Sequence, residues 1–357
     1  MTAEGMPFPW LWNGGTFSPK LGAIWELSDK AKIILSKLKA IVVFGVVVFL
    51  AVEFTYRFYA LGVRSLHPLR MDSVQPLSTS GLITPSDHPE IVYELKPDLN
   101  TYFKLACFRT NSVGLRDRDY PVENPSNTFR VVVIGSSFTM GAGVDIEETY
   151  HSQLEERLNR ERHGRRFEFI NFAVGGYDPR MILATLERRA FAYDPDLILY
   201  GLSGNTARMV RVDEVYSKKY QVKRKVHAFF RSYVARRLLR RWRKSENTNR
   251  LTPSLSMRRF EETLDQIEKI ESEHRVPIIF VVLHHNWDSR VEAIRVAETV
   301  RTHGFTVIDT VFAFEQERSD LYIYRADSHP SPRSHAIFAQ SIYHELTNST
   351  LLRPRGH

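Results

Sequence analysis

The chain of 357 residues contains a single cysteine, Cys107. An intrachain disulfide is therefore impossible, and so is a zinc site built on cysteine, because such sites need several thiolates at short spacing. The lack of disulfides does not fix the compartment, since an extracytoplasmic protein of this size can fold without them. Wholesale disorder is also excluded, because 43% of the residues are hydrophobic and 25% are charged.

Acidic residues are missing from one long stretch, 218–244, which is rich in Lys and Arg and accounts for the net charge of +8. Within it Phe230, Val234, Leu238 and Trp242 recur every four residues, which predicts a basic amphipathic helix. Such a helix suits an anionic membrane surface or an anionic glycan. The alternative is a helix whose apolar stripe packs on the domain. We expect no nucleic-acid partner, because no recognised binding module accompanies the charge.

Long hydrophobic runs are missing except near the N-terminus, where Ala40–Val52 holds thirteen residues without a charge. With its apolar flanks this run predicts a transmembrane helix over 33–57, because a bilayer core is about 30 Å thick. Glu53 is unfavourable there unless it lies near the interface. A buried core helix is the alternative. No small-residue cleavage site follows, which favours an uncleaved anchor over a signal peptide.

The charges that flank this segment predict its orientation. Five lysines precede the uncharged run Ala40–Val52 and three arginines follow it: Lys20, Lys30, Lys32, Lys37 and Lys39, then Arg57, Arg64 and Arg70. Since positive residues favour the cytoplasmic side, we expect residues 1–32 inside the cell and the large C-terminal part outside it, in the periplasm.

Two further regions follow the anchor. Residues 58–128 contain seven prolines and little helical periodicity, which predicts an irregular or β-rich lead-in. Over 129–350, interrupted by the basic insert 215–250, short β-branched runs alternate with helical patterns. The predicted strands are 131–134, 167–172, 196–200, 278–283 and 306–308. This alternation predicts a five-stranded parallel sheet with helices on both faces, and chemistry beyond the carboxyl ends of the strands.

Small or polar residues follow the first three predicted strands. Ser137 follows the first, where a sharp turn would expose its hydroxyl and aim backbone N–H groups at one point. Gly175 and Gly176 follow the second, where a glycine lets another N–H approach a ligand. Asn205 follows the third, and its amide can donate to an oxyanion. The alternatives are a serine-rich turn, an ordinary entry to a helix and a turn asparagine.

Two histidine-containing segments come later. Asp327 and His329 form an Asp-x-His near the C-terminus. A local carboxylate that holds a histidine is what a general base requires. His284 and His285 end the fourth strand; adjacent side chains on a strand point oppositely, so the two cannot chelate one metal together. We interpret them as strand-end residues.

Together these blocks resemble the SGNH hydrolase superfamily, also called GDSL-type esterases and lipases, over residues 90–345. The family's first block is Gly-Asp-Ser with a following Thr and Gly, and it matches Gly135, Ser136 and Ser137 with Thr139 and Gly141. The second-block glycine matches Gly176, and the third-block asparagine matches Asn205. The fifth-block Asp and His match Asp327 and His329. The resemblance implies a flavodoxin-like three-layer α/β/α sandwich, here preceded by one transmembrane helix.

The resemblance also implies roles for these residues. Ser137 would be the nucleophile, His329 the base and Asp327 the acid that orients it. The oxyanion hole would comprise the Ser137 N–H, the Gly176 N–H and the Asn205 side chain. Neither a metal nor a cofactor is implied.

This chain departs from the family pattern at three positions. Ser136 stands where the family usually has Asp, and Thr206 replaces the trailing Asp of the third block. The family acid commonly lies three residues before the histidine, where this chain has Ala326, so that Asp327 is one residue from the usual place.

These observations predict a membrane-anchored serine esterase or O-acyltransferase. The stretch Asn111–Arg116, together with an N-terminal helix, resembles bacterial envelope proteins, so we expect acyl (acetyl) esters of envelope polysaccharide as substrates. The expected partners are therefore an esterified carbohydrate and the membrane. The alternative is a non-catalytic anchored protein that binds a glycan or another partner on the same fold.

Overall fold

The computed structural model describes residues 29–161, 164–203, 232–242, 253–317, 319–349 and 351–352. Its strands are β1 Ile83–Pro85, β2 Tyr93–Leu95, β3 Asn100–Phe103, β4 Ala106–Arg109, β5 Thr128–Gly135, β6 Arg166–Asn171, β7 Leu197–Ser203, β8 Ile278–Leu283, β9 Thr306–Asp309, β10 Tyr322–Tyr324 and β11 Asp327–Pro330. Its α-helices are α1 Asp29–Leu61, α2 Leu77–Ser80, α3 Ser137–Met140, α4 Tyr150–Arg160, α5 Pro179–Thr185, α6 Tyr233–Trp242, α7 Pro253–His274, α8 Arg290–Thr302 and α9 Pro332–Asn348.

The main sheet has five parallel strands in the order β6-β5-β7-β8-β9. Every residue of β7 and β8 is buried, as expected for parallel strands that are covered on both faces. The predicted α/β architecture is confirmed, and the strand order is the flavodoxin-like 2-1-3-4-5. Strands β5, β7 and β9 extend beyond their predicted ends, β8 has its predicted bounds, and β6 ends one residue early, at Asn171. Pairing explains the extension of β7 to Ser203, which lies opposite Leu283 of β8.

Two hydrophobic clusters lie on opposite faces of this sheet. Alternate residues of β5 point to opposite sides, so Val132 belongs to one cluster and Val133 to the other. The first cluster includes buried residues of α5, α7 and α8, and the second those of α4 and α9. The sheet is thus the middle layer of three.

The segment between α1 and β5 forms two small antiparallel hairpins, β1–β2 and β3–β4. Their apolar side chains, among them Tyr93 and Phe103, are buried in the first cluster. The hairpins are therefore packed on the sheet domain rather than separate from it.

The N-terminal helix α1 contains a candidate span, Ala31–Leu61, in which one window of 18 residues reaches a mean hydropathy of 2.5. It is long and apolar enough to cross a membrane, a property that a signal sequence near the N-terminus shares. The chain divides into two compact units, residues 1–52 and 53–357, so that the last turns of α1 belong to the second unit.

Glu53, which the sequence marks as unfavourable in a membrane, is buried among hydrogen-bond donors. Its carboxylate accepts from Arg57 Nε (2.6 Å), Ser232 Oγ (2.7 Å), Tyr233 N (2.6 Å) and Val234 N (3.1 Å). The last two are N–H groups in the first turn of α6, which has no helical carbonyl to offer them, so a carboxylate is favoured there. Glu53 therefore caps α6.

Helix α6 is the described part of the predicted basic helix. Leu238, a member of the predicted apolar stripe, is 58% exposed. Residues 215–231 and 243–250 of the predicted insert lie outside the described residues.

A buried ion pair lies near the amino-terminal ends of β5 and β6. Arg130 Nη2 lies 2.8 Å from Glu168 Oε2, and the two side chains are 0% and 3% exposed. Arg130 Nη1 also donates to the carbonyls of Val122 (3.0 Å) and Tyr193 (2.7 Å). One guanidinium thereby joins β5, β6 and two loops.

We expect Glu168→Ala to lower the free energy of unfolding by about 3–5 kcal/mol, because it leaves the Arg130 charge buried without its partner. Glu156→Ala is the matched control, since Glu156 forms an exposed pair on α4 and should cost less than about 0.5 kcal/mol. Denaturant unfolding of both variants in detergent measures the difference. Equal losses would show that Arg130 does not depend on Glu168.

Candidate active site

Ser137 is the first residue of α3, directly beyond the end of β5. The turn requires glycine at 135, where φ is +155° and an added Cβ would lie 2.4 Å from Thr139 Oγ1 and 3.0 Å from the Gly201 carbonyl oxygen. The helix is a single turn that ends at Gly141, at φ +76°. Ser137 is therefore held at the centre of the carboxyl edge of the sheet.

His329 and Asp327 lie on the hairpin β10–β11. His329 Nε2 is 2.9 Å from Ser137 Oγ, and its Nδ1 faces Asp327 Oδ1 in a short hydrogen bond. The His329 backbone N–H also donates to Asp327 Oδ1, at 3.1 Å. The structure thus brings together the three side chains that the sequence predicts as nucleophile, base and acid.

The Asp-x-His spacing follows from the extended backbone of β11. In a strand, residues i and i+2 point to the same side, so Asp327 and His329 face each other without a loop. Ala326 occupies the position at which the family acid commonly stands. Its backbone N–H donates a hydrogen bond to the Ala60 carbonyl (3.2 Å).

The Asp327 carboxylate is held in its charged form. Burial alone would raise its pKa, but the hydrogen bond and charge of His329 and the charge of Lys104 hold the pKa well below its usual range. Lys104 Nζ donates to Asp327 Oδ2, and both side chains are 15% exposed. The sequence does not reveal this lysine, because it lies 223 residues from its partner.

Two of the three residues predicted to supply oxyanion donors, Ser137 and Gly176, are among the described residues. The Ser137 N–H begins a helix and so has no partner within it. Of the two glycines after β6, Gly175 donates its N–H to Met140 Sδ (3.2 Å) and accepts at its carbonyl from the Tyr93 hydroxyl (2.9 Å). Gly176, at φ +87°, follows it in the same turn. Asn205 lies outside the described residues.

Asn171, at the end of β6, ties this turn to the serine turn. Its Oδ1 accepts from the Ala173 N–H (3.0 Å), and its Nδ2 approaches the Thr139 carbonyl (3.4 Å). A second contact, Asn171 Nδ2 to His151 Nε2, measures 3.0 Å. Nothing in the sequence indicates this role, because Asn171 is the last residue of a buried strand.

Arg116, from the stretch that resembles envelope proteins, supports the serine helix. It is 1% exposed, and it donates to the carbonyls of Met140 (2.6 Å), the last residue of α3, and of Val144 (2.5 Å), beyond that helix. Gly114 has φ +79°, and a Cβ there would lie 2.4 Å from the Leu95 carbonyl oxygen. The stretch therefore folds tightly and buries a guanidinium against carbonyl groups near Ser137.

The adjacent histidines of β8 lie near the site without joining it. His284 Nε2 donates to the Asn286 carbonyl (2.7 Å). His285 is 3% exposed, and its ring centroid is 5.3 Å from that of Phe138, which in turn lies 5.5 Å from His329. Burial lowers the pKa of His285 to about 4, so it is neutral. Among the described residues, no group of three or more His, Cys, Asp or Glu side chains is arranged to hold a metal.

The fold and these contacts define a class of α/β protein with a serine–histidine–aspartate arrangement at the carboxyl edge of the sheet. No family model matches the chain, and no curated protein matches it either. The solved structures similar to it include lipolytic proteins of the G-D-S-L family, as the sequence resemblance implies.

Three of these structures illustrate the likeness. TesA is 14% identical, with 62% of this chain and 99% of that chain covered and a TM-score of 0.41. A mutant of Axe2, an acetyl-xylooligosaccharide esterase from Geobacillus Stearmophilus, is 15% identical, with 64% and 97% covered and a TM-score of 0.42. A G-D-S-L protein from Veillonella parvula is 14% identical, with 62% and 100% covered and a TM-score of 0.38. A likeness at this level assigns no reaction to the chain.

Two fully buried histidines lie between α4 and α9. His151 Nε2 contacts Asn171, and His335 Nδ1 accepts from the Tyr150 N–H (3.2 Å). Burial, aided by the charge of Arg116, lowers the pKa of His151 from 6.5 to about 3. Since the unfolded chain binds a proton below pH 6.5 and the folded state does not, stability falls as the pH decreases through this range.

We expect His151→Gln to reduce this acid sensitivity, because glutamine offers Asn171 an acceptor and takes up no proton. One such histidine contributes up to about 1.4 kcal/mol per pH unit to the slope. The free energy of unfolding of wild type and variant, measured from pH 7 to pH 4.5, tests this. His344→Gln, at an exposed position on α9, should leave the slope unchanged. An unchanged slope in His151→Gln would contradict the assignment.

Proposed function

We propose that this protein is a serine-dependent ester hydrolase or O-acyltransferase. The observation that supports this most directly is the 2.9 Å contact between Ser137 Oγ and His329 Nε2. A neutral serine is a weak nucleophile, and a histidine whose other nitrogen faces a carboxylate is the base that activates it.

In the proposed reaction, His329 Nε2 takes the proton from Ser137 Oγ as the oxygen attacks the ester carbonyl. Asp327 keeps the Nδ1 proton in place and stabilises the imidazolium that forms. The N–H groups of Ser137 and Gly176 and the amide of Asn205 stabilise the oxyanion. The imidazolium then protonates the leaving alcohol, and an acyl group remains on Ser137.

The acceptor in the second step decides between the two reactions. With water, His329 removes a proton from it and the acid is released. With a sugar hydroxyl, the same base activates that hydroxyl and the acyl group is transferred. Acetylated envelope polysaccharide is the proposed source or acceptor of the acyl group, because Asn111–Arg116 resembles bacterial envelope proteins.

Anchoring by α1 is part of the proposal. Its support is the length and apolar composition of the helix, together with the lysines that precede its uncharged run Ala40–Val52. We propose that residues 1–32 face the cytoplasm and that the span predicted over 33–57 crosses the membrane only as far as Val52, because Glu53 and Arg57 are bonded within the folded domain. The folded domain, up to residue 350, would then work in the periplasm.

We expect wild type to be labelled by a serine-reactive fluorophosphonate, and Ser137→Ala to lose both the label and ester cleavage, by more than about 10⁴-fold. Ser136→Ala is the matched control and should keep the label, because Ser136 makes no capping hydrogen bond through its side chain. Labelled peptide mass and hydrolysis of p-nitrophenyl acetate are the measurements.

Two results would contradict the proposal. The first is label that persists in Ser137→Ala. The second is a wild type that takes up no label and cleaves no ester while it still binds glycan, which would favour the non-catalytic alternative. To separate transferase from hydrolase, acetylated polysaccharide is mixed with an unacetylated oligosaccharide; acetyl groups that appear only in water disfavour transfer.

We expect the full chain to remain in the membrane fraction after an alkaline wash and to keep its own N-terminus, as mass spectrometry of the intact protein would show. A chain shortened beyond residue 40 would instead identify a cleaved signal sequence. A reporter fused after residue 70 should be active only outside the cytoplasm, and a cytoplasmic signal would overturn the orientation.

A further inference from the structure

Lys104 contacts the carboxylate oxygen of Asp327 that does not face His329. Oδ1 receives both the ring Nδ1 and the backbone N–H of His329, whereas Oδ2 receives Lys104 Nζ. The Tyr324 hydroxyl is the other donor near Oδ2, at 3.4 Å. The two oxygens of one carboxylate are therefore divided between the histidine and the lysine.

The backbone at Lys104 has a conformation that L-residues avoid. It forms, with Leu105, the two-residue turn between β3 and β4, and the φ angles are +49° and +69°. Such turns normally use Asn-Gly or similar pairs, because positive φ crowds a side chain against its own backbone. A lysine that is kept in this position has a conformational cost, which calls for a compensating contact.

Hydrogen bonds fix this turn in place. The Lys104 N–H donates to the Ser73 carbonyl and the Leu105 N–H to Ser73 Oγ, each at 2.9 Å. Arg70 Nη1 donates to the Leu105 carbonyl, at 3.1 Å. The turn is thus held by residues 70 and 73, through bonds that do not involve the Lys104 side chain.

The segment that contains Asp327 contacts the same buried cluster as the Lys104 turn. Leu105 packs with Ala60, Leu61 and Tyr324 in one buried cluster, and the Ala326 N–H donates to the Ala60 carbonyl at 3.2 Å. Residues next to Lys104 and next to Asp327 therefore share neighbours, so the backbones that carry the lysine and the carboxylate rest on one cluster.

We propose that Lys104 is a positioning residue that locks the Asp327 carboxylate so that Oδ1 faces His329; this inference rests on the proposed function. A carboxylate on a strand can rotate about its Cβ–Cγ bond. A cation on Oδ2 opposes that rotation, and its charge keeps the group ionised. Since an exposed ion pair would do little, the low exposure of both side chains, 15% each, is what gives the contact weight.

The test uses the full chain in detergent, with p-nitrophenyl acetate as the substrate and a fluorophosphonate as the probe of Ser137. Lys104→Met removes the charge, and we expect kcat to fall between about tenfold and about 100-fold with KM little changed, because small misplacements of catalytic groups have effects of this size. Lys104→Arg restores a cation and should stay within about threefold of wild type. Lys269→Met, at an exposed lysine of α7, is the control and should match wild type.

A double-mutant cycle with Asp327→Asn separates positioning from general support of the structure. If Lys104 acts through Asp327, Lys104→Met should have no further effect on kcat in the Asp327→Asn background. An undiminished loss there would overturn the inference. So would wild-type kcat in Lys104→Met, or an arginine variant as slow as the methionine one.

Folding is checked by thermal unfolding of each variant, and Lys104→Gln serves as a milder second substitution. Unfolding of both neutral variants would overturn the inference, since Lys104 would then be required for structure. The proposed function fails separately: a wild type that takes up no label removes it, whereas a labelled wild type with a fully active Lys104→Met removes only the role of the lysine.

Discussion

The site depends on the hydrogen bond between His329 Nε2 and Ser137 Oγ, because it joins segments 192 residues apart in the chain. Ser137 follows a central strand of the main sheet, whose neighbours on both sides restrain it. His329 lies on a hairpin of two short strands that pair only with each other, and such a hairpin is marginal by itself. Its position must come from what packs around it. Leu321 packs with Phe338 of α9 on one side, and Tyr324 with Leu61 and Leu105 on the other.

The sequence predicted the sheet, and it singled out the three side chains that the structure brings together, because both leave local signals. Apolar runs locate the five strands, and Ser137, Asp327 and His329 each follow or lie within one short motif. The shifted acid is explained only by the structure: two residues suit an extended strand, whereas the sequence gives no sign that β11 forms. The supporting contacts left no signal at all, since Lys104 is 223 residues from Asp327 and Glu53 is 180 from Tyr233. A periodic pattern cannot report a partner so far along the chain.

Glu53 shows how a partner far along the chain can make a residue stabilising that the sequence marks as unfavourable. Taken from the sequence, it is a charge at the end of an apolar helix and so a cost. In the fold its charge is offset by Arg57 and by the N–H groups at the start of α6, where the helix dipole favours an anion. The turns of α1 from Glu53 to Leu61 therefore belong to the folded domain. They also contribute Ala60, whose carbonyl holds the residue before Asp327.

The lead-in hairpins then have a physical role that the sheet cannot fill. A parallel sheet places side chains at the carboxyl ends of its strands, but strand pairing does not fix the conformation of the turns that follow. Three described segments of this site are restrained by the lead-in: Arg116 binds the carbonyl of Met140 after Ser137, the Tyr93 hydroxyl binds that of Gly175, and Lys104 binds Asp327. Two of these three donors are cations, and both are directed at oxygen atoms in sparsely hydrated surroundings, where such bonds are strong. The distances that the proposed acyl transfer requires are thus set by residues that would take no part in it.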